Sequence, residues 1–380
     1  MRNFVFVMNI PSPYRLHSLG ETWRQLKERG IDFHCHFMAK GHKERPKSWL
    51  NPKIDFPHTY WFDCGIGQCH FNPGLVWHLC RNPPDIIHLG SPYDTLTCVL
   101  LAKFCNAKVV SVGLEGNTKT PGRMDGLIGR YKRWVLKEGD YATAPGVEGV
   151  RFVGLHQSRT KDKMPTPLII PNLVDETRFV CVNDELRKQY RHECWSDVGT
   201  AKICLVPARF DPVKGLKEFF QQLEPKMLTG WKIVIMGHGP EEQMTMDIVR
   251  QKGLEQFVTI IHSVPYDKMP KYYAAADLML LPSRQDMNPL CVVEALHSGL
   301  AIALSDRAGN VEEAVTEGEN GWRLPVLDAA RYSAKLKEVF SSTFSDLRRM
   351  GQRSKMVNAK FWESKMAVCT WLDQILDDGQ

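Results

Sequence analysis

The chain has 380 residues, 43% hydrophobic and 24% charged, with no low-complexity tract; this is a globular composition, long enough for two domains with full cores. The formal net charge of +6 suits an anionic ligand or surface but is too mild to argue for a nucleic-acid stripe. No apolar run reaches transmembrane length, and the eleven cysteines, an odd number scattered along the chain, suit buried thiols in a reducing cytosol better than a disulfide framework.

The opening run "MRNFVFVMNIPSPYR" is too short in its apolar part for a signal peptide and reads as a strand. Strands are predicted over 3–9, 32–37, 85–89, 108–112, 140–144 and 167–171, separated by amphipathic stretches such as 16–29, 93–106 and 123–137. Strands that alternate with helices favour parallel sheets covered on both faces. One Cys/His concentration, His34 to His36 followed by Cys64 to His70, matches no closed zinc site in its spacing and reads as strand residues and packed thiols.

The second half repeats the pattern. Strands are predicted over 202–207, 232–237, 257–261, 277–282 and 300–305, nearly all apolar, as central parallel strands are. A boundary falls near 173–200. A long helix is expected from about 346 to 378, with a face too apolar to leave in water, crossing the joint to pack on the first half. The expected fold class is α/β, two doubly wound (Rossmann-like) domains facing a central cleft. In such sheets ligands bind beyond the carboxyl ends of the strands, so the residues just after each strand carry the chemistry.

After the first strand of the second half, Arg209 and Lys214 stand before a helix start at Gly215; two cations beside a helix N-terminus suit a diphosphate. Gly237 and Gly239 frame His238 after the next strand, where glycine lets backbone approach a ligand. After the third strand, Val264 is a candidate for the face of a nucleobase. The fourth strand ends in "LPSRQDMNPL", with Asn288 as the expected N-cap, Pro289 in the first helical position and the helix starting near Leu290. Asp286 precedes that start and Glu294 follows it inside an apolar segment. Two acids flanking an N-terminus could hold sugar hydroxyls on either side of a bound phosphate. The plainer account, acids complementing a helix dipole, leaves the apolar neighbours of Glu294 unexplained.

In order, "ARFDPVKG", "IVIMGHGP", "VPYDKMPKYYAAADLMLLPS", "DMNPLCVVEAL", "AGNVEEAV" and "GENGW" resemble the C-terminal half of a family four retaining glycosyltransferase with the GT-B fold, closely over about 200 to 325. "NIPSPYR", "PDIIHLGSPY" and "IIPNLVD" carry a looser resemblance in the first half. The resemblance implies an acceptor-side domain over 1–173, with helix 360–380 packing back on it, and a nucleotide-sugar donor domain over 174–359. It implies that Arg209 and Lys214 contact the donor diphosphate, Asp286 the donor sugar and Glu294 the ribose, with backbone groups at Leu290 and Cys291 on phosphate or sugar. Asp286 stands where the family usually has Glu, one methylene longer. The catalytic His that many relatives carry after the fourth N-domain strand is missing from "SVGLEGNTKTPGR", which leaves Glu115 and, on the preceding strand, His88 as the candidate groups; a buried, satisfied histidine is the plainer account of His88.

The expected activity is transfer of a sugar, with retention, from a nucleotide-diphosphate sugar to a hydroxyl acceptor in surface-glycan or lipid-linked saccharide assembly. No metal and no cofactor are expected, the nucleotide sugar (UDP or GDP base undetermined) being a substrate, and no nucleic acid is expected as a partner. The expected partners are the donor, a glycan or lipid-linked acceptor, and an anionic membrane surface met by the basic amphipathic stretch 123–140. The expected place is the cytoplasm, with peripheral attachment at the inner face of the membrane. A nucleotide-sugar epimerase of the same fold and a non-catalytic nucleotide-sugar-binding module are the rival readings.

Overall fold

The computed structural model describes residues 2–41, 53–67, 69–119, 122, 124–195 and 199–377. The chain divides into two compact units, Met1–Val174 with Ser364–Gln380, and Asp175–Glu363.

Unit 1 contains β1 (Asn3–Met8), α1 (Pro13–Glu28), β2 (Asp32–Phe37), β3 (His58–Tyr60), α2 (Pro73–Arg81), β4 (Ile86–Leu89), α3 (Leu96–Phe104), β5 (Val109–Gly113), α4 (Gly126–Leu136), β6 (Tyr141–Ala144), α5 (Val147–Gln157) and β7 (Thr166–Ile169). Seven strands form one sheet in the order β3-β2-β1-β4-β5-β6-β7, and each pairing is parallel. The two-residue period of β1 feeds a core on each face. Phe4, Phe6 and Met8 enter a cluster with Leu19 and Leu26 of α1, whereas Val5 and Val7 enter another with Leu75, Leu79 and Leu101 of α2 and α3.

Unit 2 contains α6 (Asp184–Cys194), β8 (Lys202–Val206), α7 (Leu216–Gln222), β9 (Trp231–Met236), α8 (Glu242–Gln251), β10 (Val258–Ile261), α9 (Met269–Ala275), β11 (Leu278–Leu281), α10 (Leu290–His297), β12 (Ala301–Ser305), α11 (Val311–Ala314), β13 (Gly321–Leu324), α12 (Ala329–Ser341) and α13 (Phe344–Phe361). Its sheet runs β10-β9-β8-β11-β12-β13, again wholly parallel. The apolar strands β11 and β12 are buried along their whole length, as a sheet covered on both faces requires. In both sheets the order reverses beside the first strand, at β1/β4 and at β8/β11, the switch point beyond which doubly wound sheets bind their ligands.

Two expectations about elements are corrected. The long terminal helix is broken into α13 and α14 (Ser364–Asp377), with Trp362 and Ser364 buried at the break; α14 belongs to unit 1, where Val368, Trp371, Leu372 and Ile375 join the cluster around Phe4 and Phe6. The sequence also concealed two edge strands, β3 with three residues and β13 with an exposed Arg323. The His-Cys-His run is β2, where His34 bonds Thr59 at 2.9 Å and His36 accepts from the Trp61 indole at 2.9 Å; the cysteines are free thiols. No helix among the described residues is long and apolar enough to cross a membrane.

Candidate functional site

In unit 2 the loops after β8 and β11 interlock. Val213 O accepts backbone hydrogens from Arg284 at 2.9 Å and Gln285 at 3.1 Å. Gly215 has a positive φ of 67°, and a Cβ there would lie 2.6 Å from Pro282 O, so only glycine fits this crossing. The interlock delivers Lys214 Nζ to 2.6 Å from Asp286 Oδ2, and the Ser283 hydroxyl donates to the same oxygen at 3.3 Å. Gly309 N donates to Asp286 O at 3.0 Å, tying in the loop after β12.

Asp286 therefore lies just before α10, as the spacing implied, but the cap differs from expectation. Pro289 takes the N-cap position of α10, in an extended conformation and without a side-chain cap. Asn288 is not the N-cap. The proline's fixed φ and missing N–H end the preceding loop here, and Asn310, from the loop after β12, donates to Pro289 O at 3.1 Å. Asn310 lies in the "AGNVEEAV" motif but was given no role of its own by the sequence.

Glu294 is 1% exposed, and the Tyr273 hydroxyl from α9 donates to its Oε2. Cys291 is half-buried one turn closer to the helix start. Its thiol is pushed up by burial and by the carboxylates of Asp286 and Glu294, against the opposing charge of Lys214. Lys214, Asp286 and Glu294 thus act electrostatically on one point in the first turn of α10, next to Leu290.

The other sequence candidates sit differently. Arg209 is 69% exposed and pairs with Asp211 at 2.7 Å. At Gly237 and Gly239 a Cβ would run into the backbone of Ala208 and Phe210. These glycines let two loops touch, which accounts for them through packing before any ligand is considered. Val264 is half-buried in the loop after β10, beside a segment where Arg178 stacks 3.9 Å from the Tyr266 ring centroid.

In unit 1 the strand ends gather a second group. Arg15 of α1 donates to Asn9 Oδ1 at 2.6 Å and pairs with Glu115 at 3.3 Å; the Glu115 side chain is 65% exposed. His88 is buried on β4, its Nδ1 3.0 Å from the Ser111 hydroxyl, with the Phe6 and Trp371 rings against it. Burial and the charge of Arg15 lower its pKa to about 3. That leaves it neutral, weakly basic and packed. Asp94, which the sequence did not single out, is held up by burial and by Glu115, with Lys132 opposing; a carboxylate shortly after β4 gave no signal distinct from a turn. Among the described residues no group of three or more His, Cys, Asp or Glu side chains has the arrangement of a metal site.

Residues 194–357 match the family model described as "Glycosyl transferases group 1". The match spans most of the second unit, and over it the chain is similar to the group 1 glycosyl transferases. The N-acetyl-alpha-D-glucosaminyl L-malate synthase of Bacillus anthracis is 24% identical to this chain over 352 residues, 88% of this chain and 86% of the relative. The sulfoquinovosyl transferase SQD2 of Arabidopsis thaliana is 22% identical over 78% of this chain and only 57% of its own length. Among solved structures, Anabaena HepE in complex with UDP superposes with a TM-score of 0.72 at 15% identity, covering 100% of this chain and 99% of that one. A sucrose-phosphate synthase from Thermosynechococcus elongatus gives 0.74 at 13%, covering 99% of each. At such identities these structures speak to the fold, and the two-sheet α/β architecture of this chain is that of the GT-B proteins it resembles.

Proposed function

We propose that the protein transfers a sugar, with retention of anomeric configuration, from a nucleotide-diphosphate sugar to a hydroxyl of a glycan or lipid-linked acceptor, without a bound metal. The observation that carries this reading is the Lys214–Asp286 pair at the mouth of α10, with Glu294 buried behind it. The bond from the anomeric carbon to the diphosphate breaks as the bond to the acceptor oxygen forms. Positive charge develops on the sugar ring and negative charge on the leaving diphosphate. Lys214, the exposed Arg209 and the first N–H groups of α10 offset the charge of the diphosphate, the work a divalent cation would otherwise do. Asp286 faces the sugar and Glu294 the ribose hydroxyls. In unit 1, Glu115 accepts the acceptor hydroxyl's hydrogen bond and draws off its proton.

Uridine nucleotides are the first donors to try, since HepE was solved with UDP. The acceptor side favours a lipid-linked substrate at an anionic membrane. On α4, Leu127 is 82% exposed, Ile128, Tyr131 and Trp134 are also open, and Val135 is in the core. Arg130 is exposed beside them, and Lys103 covers Trp134 at 4.0 Å; Arg123 lies outside the described residues. A helix with one edge in the core and an aromatic, basic edge left open suits a headgroup layer.

Incubation with UDP- and GDP-sugars and an extract of polyprenyl- or lipid-linked saccharides tests the reading. Acceptor-dependent release of nucleoside diphosphate, unaffected by EDTA, with an axial anomeric product from an axial donor, is expected. An epimer formed from donor alone, or EDTA-sensitive transfer, contradicts it.

A further inference from the structure

Glu115 sits in a loop, 114–119, that begins where β5 ends. An exposed carboxylate on a free loop would sample many positions and catalyse poorly, because a displacement of about 1 Å can cost on the order of a hundredfold in rate. Here the loop is fastened on both sides of Glu115. Before it, Leu114 is buried and its N–H donates to Thr143 O of β6 at 2.8 Å. After it, Asn117 is buried and the Thr118 hydroxyl donates to the carboxylate of Glu148 in the first turn of α5.

Glu148 is itself buried, with Arg151 one turn on bonded to its other oxygen. Burial pushes its carboxyl up, but the bonds from Thr118 and Arg151, helped by Lys119, hold it below the usual range. It is a fixed anion. The same helix presses on the loop at a second point. A Cβ on Gly116 would lie closer than 3.0 Å to three atoms of the Phe152 ring, and Phe152 is buried and braced edge-on by His156.

We propose that α5 is the positioning element of the acceptor site: Phe152 seats Gly116 and Glu148 latches Thr118, so that Glu115 is presented in one place. The proposal rests on the reading of Glu115 as the group that meets the acceptor. Glu148 and Phe152 touch no substrate; they act through the loop. Gly116 is required for lack of space, not for backbone conformation, since its φ lies outside the left-handed region.

The test compares Glu115→Gln, Gly116→Ala, Thr118→Val, Thr118→Ser and the pair Gly116→Ala/Phe152→Leu. Gly116→Ala and Thr118→Val are expected to lower kcat on the order of tenfold to a hundredfold, with KM for the donor unchanged. Thr118→Ser, which keeps the hydroxyl, is expected to stay near wild type. The smaller ring in the double variant is expected to restore part of the Gly116→Ala loss. Amide hydrogen exchange over 114–119 should quicken in Thr118→Val. Wild-type kcat in both Gly116→Ala and Thr118→Val, alongside an impaired Glu115→Gln, overturns the proposal, as does exchange over the loop unchanged by Thr118→Val. If Glu115→Gln itself turns over normally, the role given to Glu115 fails and the positioning role of α5 falls with it, while donor binding in unit 2 stands untouched.

Discussion

Glu294 can remain in an apolar helix because the Tyr273 hydroxyl meets its carboxylate; a buried acid without a partner would be strongly unfavourable. Truncation to Ala therefore leaves a buried phenol without that acceptor, besides removing any ribose contact. We predict that Glu294→Ala lowers stability by about 1–3 kcal/mol, read as a shift in denaturant midpoint, while Glu294→Gln loses less because the amide oxygen still accepts. Equal stability of the Ala variant and wild type would show that the bond contributes little. Glu115 is the opposite case, an exposed acid beside Arg15. Glu115→Gln keeps its shape and removes its charge, and turnover is expected to fall and lose its acidic pH limb. A pH–rate profile identical to wild type would transfer the role to another group, and His88, buried and held to about 3, is a poor successor.

At the scale of elements, the central strands were legible because each is a short apolar run with turn residues at its ends, and β11 or β12 could be little else. The edge strands were not legible. β3 has three half-buried residues, and β13 carries Gly321 and an exposed Arg323. Such strands owe their state to the neighbour they pair with. The candidate site was legible in its residue types and loops, since Lys214, Asp286 and Glu294 do gather at α10. The roles of Gly237 and Gly239 were not, because a close approach to Ala208 and Phe210 is fixed by tertiary contact alone. The break before α14 was hidden too, as helical periodicity continues through it. What α14 does follows from its partners. Trp371 packs on the Phe4, Phe6 and His88 rings, so Trp371→Ala should destabilise unit 1 by about 3–5 kcal/mol. A thermal or denaturant transition of unit 1 unmoved by this change would contradict the assignment of α14 to that core.

For the molecule as a whole, the two units should respond differently to acid. His34, His36, His88 and His156 all lie in unit 1 with pKa values below the ordinary 6.5, His36 and His88 at about 3 and His156 at about 4, each chiefly through burial. A depressed value means that the unfolded chain takes up protons the folded unit refuses. For His36, His88 and His156 the contribution to stability is therefore complete above about pH 6.5 and falls towards pH 3–4, with a slope of up to about 1.4 kcal/mol per pH unit for each group, and His34 acts in the same direction. Hydrogen exchange at pH 7 and pH 5 should show unit 1 loosening first, and parallel loss in both units would contradict this. Membrane attachment is tested at the same scale, by co-sedimentation with anionic and neutral vesicles at low and raised salt. Salt-sensitive preference for anionic vesicles, reduced in Trp134→Ala, is expected, and equal binding to both or to neither would leave a soluble acceptor. The central claim is that unit 2 holds a nucleoside diphosphate at the start of α10 through Lys214 and Glu294. Calorimetric titration of UDP and GDP into the wild-type protein, Lys214→Ala and Glu294→Gln tests it most directly. One of the two nucleotides should bind the wild type and bind each variant on the order of tenfold to a hundredfold more weakly, the loss of a charge-assisted contact, with every protein still folded. Equal affinity in all three proteins, or no binding of either nucleotide to the wild type, would contradict the account.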